Sequence, residues 1–354
     1  MFREEYLDKK KVYLHIGLSK TGTSAIQNFL YKSKKTLIKK YKILYPDTGI
    51  LAPDGIFAHH GIAFSIYKPE EAKGLKVTEF ETIKECLLKE SIAKKSKICI
   101  ISSEAFMHFR DKHCFEILKI LLEQFLEKCI IVYLRRQDLW HESSYSQVVK
   151  DFGIRLTCSF KESTQHSLTL NWLLNYNSLL SRWQQAFPES KIIPRIYDRK
   201  LFPDGNVILD FLSILGIEMP EARDYKVETN PSLSHLSTLV MRKINEKFNL
   251  TREEHGKCIQ YLFKLDREEG SPIKSFFTLP ERIEFLEHFR ESNERLFREW
   301  FGTENQFVLS EEEIKFYEEQ DRISRKEIEK LVEDRYRRVL TFLKEEKDIK
   351  VELI

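Results

Sequence analysis

Three features that would narrow the reading at once are missing from this chain. It has no long apolar run: the longest unbroken stretch covers residues 129–134, far short of the ~20 residues that a membrane-spanning helix requires. It has no ordered cysteine pattern. The six cysteines (Cys86, Cys99, Cys114, Cys129, Cys158, Cys258) are scattered, with no C-x-x-C and no histidine at zinc-ligand spacing, so they read as reduced packing residues. It also lacks a large excess of either charge. Fifty-eight Lys plus Arg against 55 Asp plus Glu leave +3, whereas a dedicated nucleic-acid binder shows a strongly basic domain. The opening MFREEYLD carries two Glu and an Asp where a secretory signal carries an apolar stretch. Cytoplasmic residence and no nucleic-acid partner are therefore the expectations.

What is present is a globular composition, 42% hydrophobic over 354 residues, enough for one large domain or two ordinary ones. Short, nearly all-apolar runs at 12–16, 43–45, 98–101, 130–134 and 192–196 have the character of strands buried on both faces of a parallel sheet. Pro194 makes the last an edge strand. Helical patterns lie between and after them, at 24–30, 80–93, 115–127, 139–150, 172–186 and 207–215. Strand alternating with helix means an α/β domain with right-handed crossovers. Residues 230–300 read as helices, including 236–248 and 280–297. From Ser310 the chain is dense in charge, with one apolar stripe running from Ile328 to Leu343. The division expected is 1–225 for the α/β core, 226–307 for a helical part completing it, and 308–354 for an amphipathic tail, whose stripe requires cover from its own domain or from a second copy. Six lysines between Lys32 and Lys42 read as a solvated helix end, an anionic ligand being the alternative.

One local signal is chemical. The strand pattern Val12-Tyr13-Leu14-His15-Ile16 runs straight into Gly17-Leu18-Ser19-Lys20-Thr21-Gly22-Thr23-Ser24, and a helical pattern follows. Strand, glycine-containing loop and helix turn successive backbone N–H groups and a helix N-terminus toward an anion. Lys20 adds a point charge, and Ser19, Thr21, Thr23 and Ser24 add further donors. It is not a Walker A loop, which needs Lys after the second Gly, where this chain has Thr23.

The run HIGLSKTGTSAIQNFL resembles the 5′-phosphosulfate-binding loop of sulfotransferases that use 3′-phosphoadenosine 5′-phosphosulfate (PAPS), in particular the bacterial carbohydrate-sulfotransferase-like branch. A second stretch, Ile130-Ile131-Val132-Tyr133-Leu134-Arg135-Arg136-Gln137-Asp138 followed by Ser143, Tyr145 and Gln147, resembles that family's 3′-phosphate segment. This resemblance assigns the ribose 3′-phosphate to Arg135 and Ser143, with Arg136 and Ser144 as off-by-one alternatives; the guanidinium's fork of donors suits a phosphate. Ser102-Ser103-Glu104, Tyr197-Asp198-Arg199, residues 206–216 and Asn230-Pro231-Ser232-Leu233-Ser234 also resemble the branch, so the likeness covers roughly residues 11–307. The tail matches nothing in it.

The resemblance implies a P-loop-like parallel sheet flanked by helices with a helical C-terminal extension. It also implies metal-independent transfer of a sulfuryl group from PAPS to a hydroxyl of a polysaccharide or glycolipid. Lys20 would stabilise the leaving phosphate. The base would be His60, His59 or Glu104, with His60 preferred because it adjoins Gly61 at the start of a helical pattern, where a helix N-terminus disfavours the imidazolium. His15 reads as a packed histidine. The competing readings are a P-loop kinase or NTPase, which would want a strand-end Asp for Mg²⁺, and a nucleotide-binding scaffold without turnover.

Overall fold

Apolar runs too short for helices, each followed by a turn residue and an amphipathic segment, build a doubly wound sheet. The computed structural model describes residues 10–51, 57–67, 78–169, 171–225 and 232–345. Short helical turns aside, its elements in chain order are β1 (Lys11–His15), α1 (Thr23–Lys32), β2 (Ile43–Leu44), α2 (His60–Tyr67), α3 (Phe80–Ala93), β3 (Ile98–Ser102), α4 (Lys112–Leu122), β4 (Glu127–Leu134), α5 (Gln137–Lys150), α6 (Phe160–Thr169), α7 (Tyr176–Ala186), β5 (Lys191–Ile196), α8 (Val207–Leu215), α9 (His235–Lys247), α10 (Arg252–Glu269), α11 (Leu279–Glu287), α12 (Arg290–Leu296), α13 (Glu311–Gln320) and α14 (Arg325–Glu345).

The sheet order is β2-β3-β1-β4-β5, and every pair is parallel. β1 is central, so all its side chains from Val12 onward are buried, and the same holds for β4 from Cys129 onward. That two-sided burial is why these strands read as apolar runs without alternation. Pro194 sits on the outermost strand β5, opposite Val132, where a missing N–H toward solvent costs nothing. The chain leaves β1 toward β2 on one side and leaves β3 toward β4 on the other. The carboxyl ends of the adjacent β1 and β3 therefore flank the switch point where open α/β sheets place their ligands.

The chain divides into two compact units, Met1–Arg135 with Asn175–Thr229, and Arg136–Leu174 with Asn230–Ile354. The first holds the sheet. One of its cores lies where α1 and α8 pack through Ile26, Phe29, Ile208 and Phe211 onto Tyr13, Ile131 and Tyr133. In the second unit, α5, α9, α10 and α14 close around Tyr145, Val240, Met241, Ile244, Leu262, Tyr336, Val339 and Leu343. Beside this core lies a buried charge cluster. Asp138 is fully buried between Arg136, whose Nε donates at 2.8 Å, and Arg282. Arg282 also binds Glu142 at 2.8 Å, and Arg136 reaches Glu313 on α13 at 2.7 Å.

Three sequence expectations differ in detail. The helix expected over 172–186 is broken at Asn175, whose side chain accepts from Ser178 N–H and starts α7 afresh, at the point where the chain passes from the second unit to the first. The helix expected over 115–127 begins earlier, because Asp111 caps it through His113 N–H, and it stops at Leu122 so that Glu127 can begin β4. The segment after residue 308 is not set apart. Its stripe is covered by α9 and α10 of the same chain, which removes the sequence's reason for expecting cover from a second copy. Asn230 and Pro231, at the start of the stretch expected to be helical, lie outside the described residues. Among the described residues no helix is long and apolar enough to cross a membrane.

Candidate active site

β1 ends at His15, and the backbone then turns through residues 17–22 into α1. Lys20 adopts a left-handed backbone (φ +66°), as does Gly22 (φ +76°), the residue before the helix. Such reversals turn consecutive N–H groups to one side, forming an anion-binding concavity. For a lysine the left-handed region costs about 1 kcal/mol. Thr21 holds the turn closed by donating its hydroxyl to the Leu18 carbonyl at 2.6 Å. Glycine is required at two points. A Cβ at Gly17 would lie 2.5 Å from Thr23 Cγ2, and one at Gly22 would lie 2.9 Å from the Tyr197 ring and 3.0 Å from Val207. With Gly22 in the capping position, α1 has no side-chain cap and no acidic residue in its first turn. Its N-terminal dipole and N–H groups are thus left for a ligand.

Two cations attend this loop. Arg135, just past the end of β4, donates from Nη1 to the Lys20 carbonyl at 3.1 Å and lies over the Tyr197 ring, 5.8 Å from its centroid. Burial, together with the neighbouring Arg135 charge, pushes the Lys20 ammonium below its ordinary pKa. The pair is therefore poised to gain from a shared anion. Arg136 is otherwise occupied: Asp138, Glu313 and the Val308 carbonyl use its donors. Of the two adjacent arginines, Arg135 is the one at the loop. Ser143 and Ser144 are half-buried on α5, in the second unit. Ser19 and Ser24 flank the loop, half-buried.

A second cluster begins one turn further along α1. Gln27 donates from Nε2 to the Glu104 carboxylate at 3.0 Å. Gln27 Nε2 also reaches Ser102 Oγ at 3.2 Å, and Ser102 Oγ bonds His15 Nδ1 at 2.8 Å. From α2, His60 Nδ1 bonds Ser103 Oγ at 2.7 Å, and its Nε2 stands 3.7 Å from Glu104 Oε2. Burial opposes ionisation of Glu104, but His60, Gln27 and Thr23 outweigh it and hold the carboxyl below its usual range. Burial lowers the His60 pKa, against the raising effect of Glu104. At neutral pH the pair is thus a neutral imidazole beside a carboxylate.

His59 has a different chemistry. Its Nδ1 accepts from Ser102 N–H at 3.1 Å, which fixes the proton on Nε2, and Nε2 donates to the Pro46 carbonyl at 3.0 Å. Fully buried, with both nitrogens committed to backbone, it ties the α2 loop to the end of β3 and has no lone pair for a substrate. His15 is also fully buried, and burial pushes its pKa down to about 4.

Of the residues singled out in the sequence, the structure brings Gly17, Lys20, Thr21, Gly22, Thr23, Arg135, His60 and Glu104 to the carboxyl ends of β1, β3 and β4. Gln27 joins them from outside the glycine-containing loop of residues 17–24. Its signal was a polar side chain on the buried face of α1, one turn after Thr23, where packing alone would favour an apolar residue.

No known family model matches the sequence. The chain is similar to an uncharacterized protein of Archaeoglobus fulgidus, 58% identical over 247 residues. That stretch covers 70% of this chain and 66% of the relative, just under two thirds of the relative's length.

Proposed function

We propose that the protein is a sulfotransferase that moves a sulfuryl group from PAPS to a hydroxyl of a polysaccharide or glycolipid. One observation carries the reading. The helix that opens with an uncapped anion cradle also grips, through Gln27, the carboxylate of an acid–imidazole pair. An anion site and a proton acceptor are held by one rigid element, as in-line group transfer between oxygens requires. The cradle suits the phosphate end of such a donor: Gly17 and Gly22 let the loop pack closely against Thr23, Tyr197 and Val207, and Lys20 and Arg135 supply charge.

In this reading the acceptor hydroxyl gives its proton to His60 Nε2 as its oxygen bonds to sulfur. The tautomer required has Nδ1–H donating to Ser103 Oγ, leaving the Nε2 lone pair on the side of Glu104. Glu104 stabilises the imidazolium as it forms. On the other side the S–O bond to phosphate breaks, and the electron pair passes to a phosphate oxygen, where Lys20 meets the developing charge. Arg135 holds the nucleotide end.

The test is ligand binding followed by turnover. 3′-Phosphoadenosine 5′-phosphate is expected to raise the melting temperature, adding about 2.7 kcal/mol at 100 times its Kd, and ATP with Mg²⁺ to do so much less. Lys20→Ala should cut turnover far more than binding, and Arg135→Ala should chiefly weaken binding. No shift with the first nucleotide in a folded sample would sink the assignment, and a larger shift with ATP and Mg²⁺ would favour a kinase. Mass spectrometry of surface polysaccharide from cells with and without the gene would identify the acceptor.

A further inference from the structure

The amino ends of the strands, opposite the candidate site, form a basic edge that the loop chemistry does not use. Backbone hydrogen bonds tie the strand starts into one row. Lys97 N–H donates to the Lys42 carbonyl at 2.9 Å, Lys11 N–H to the Lys97 carbonyl at 3.0 Å, and Leu126 N–H to the Lys10 carbonyl at 2.9 Å. Lys191, at the start of β5, continues the row beside Cys129. Helices that lead into parallel strands end on this same side, so Lys94 and Lys95, after α3, join it.

Lys42, Lys94, Lys95, Lys97 and Lys191 are all exposed, and none forms a salt bridge or an ammonium hydrogen bond to a described residue. Glu127 is paired with Lys11 at 3.3 Å, and Glu123 and Glu189 are exposed acids among the described residues here. Two large apolar side chains stand out among these lysines, Leu126 at 65% exposed and Ile92 at 40%.

We infer that this edge is a docking surface for an anionic lipid bilayer. These exposed lysines supply attraction to an acidic surface, each worth roughly fivefold in affinity. Leu126 and Ile92 supply what a soluble polyanion has no place for, an apolar insertion at the headgroup boundary. Charge plus insertion is the two-part signal that makes peripheral binding stable. On a membrane held by this edge, the carboxyl ends of β1 and β3 face away from the lipid.

Vesicle sedimentation tests this on the full chain, comparing phosphatidylcholine with phosphatidylcholine containing about 30% phosphatidylglycerol, a composition acidic enough to set up the surface potential the lysines would sense. The chain should sediment with the acidic vesicles alone and be released as salt shortens the range of its charges. Combined Lys94→Glu, Lys97→Glu and Lys191→Glu should weaken binding by more than about 100-fold. Leu126→Ser should weaken it about tenfold. Both variants change exposed side chains, so an unchanged melting temperature certifies that they fold. No sedimentation with acidic vesicles in about 0.15 M salt overturns the inference. So does binding that Leu126→Ser leaves intact, and retention of both the parent and Leu126→Ser on heparin would then mark the edge as a polyanion surface instead.

Discussion

Two histidines adjacent in sequence stand in opposite circumstances. His59 exchanges hydrogen bonds with backbone at both nitrogens, whereas His60 turns one nitrogen to Ser103 and the other toward Glu104. The sequence showed a His-His pair before a helix but not which ring faces inward, because that depends on the register of α2 against the end of β3. The difference is testable by pH. His60 has a pKa lowered by burial, so the acid limb of kcat/KM should fall below the ordinary histidine value of about 6.5, with rates flat near pH 7. Glu104 raises that pKa, so Glu104→Gln should move the limb further toward acid while slowing turnover. If Glu104→Gln abolishes turnover and His60→Ala leaves it near the parent level, the carboxylate is the base.

His15 and His59 yield a stability prediction of definite sign. Burial lowers both to about 4, so between about pH 6.5 and 4 the unfolded chain binds protons that the native chain does not. Their contribution is complete above pH 6.5 and is lost as pH falls toward 4, on the order of 3 kcal/mol for each. Urea midpoints should hold steady from pH 8 to 7 and drop steeply from pH 6 to 4.5. His59→Asn should lower the pH 7 midpoint and flatten that slope. An unchanged slope would show that other groups govern the acid limb.

At the scale of elements, strands were the most legible feature, since a strand buried on both faces has to be apolar throughout and little else in a short run is. Helix limits were less legible where one polar side chain decides them. Asp111 starts α4 and Asn175 restarts α7, yet each resembles any other polar residue in a charged stretch. The loop before α1 was legible because its glycines answer to space. Gly22 combines a left-handed backbone with a Tyr197 ring and a Val207 methyl where a Cβ would go. Gly22→Ala should therefore cost about 1–3 kcal/mol and tilt the start of α1, weakening 3′-phosphoadenosine 5′-phosphate as well. Gly216→Ala, at another left-handed glycine but with nothing within 4 Å, should cost stability without touching nucleotide binding. Equal loss of binding in both would mean that the loop's shape is not what the nucleotide reads.

At the scale of the whole molecule, the least legible feature was the fate of the last fifty residues. A stripe of apolar positions states that a helix has something to bury, but its composition is the same whether the cover is a partner or the helices before it. Here the cover is internal: Tyr336, Val339 and Leu343 lie in one core with residues of α5, α9 and α10. Arg335 adds a buried anchor, donating to Asp266 at 2.6 Å, Ser237 at 2.9 Å and the Gly270 carbonyl at 2.9 Å. Glu313 compensates Arg136 beside the buried Asp138. Removing everything after Phe307 would thus uncover an apolar face and strip a partner from a buried arginine, losses of several kcal/mol against a total stability of about 5–15. The truncated chain is expected to be insoluble or to melt far below the parent. Because a deletion is a blunt change, Val339→Asp serves as the fine one. It places an unpaired carboxylate at a fully buried position and should lower stability by about 3 kcal/mol or more, read as a fall in urea midpoint. Should both variants stay soluble, as stable as the parent and equally able to bind nucleotide, the helix α14 would be an appendage and the core of the second unit would have to close without it.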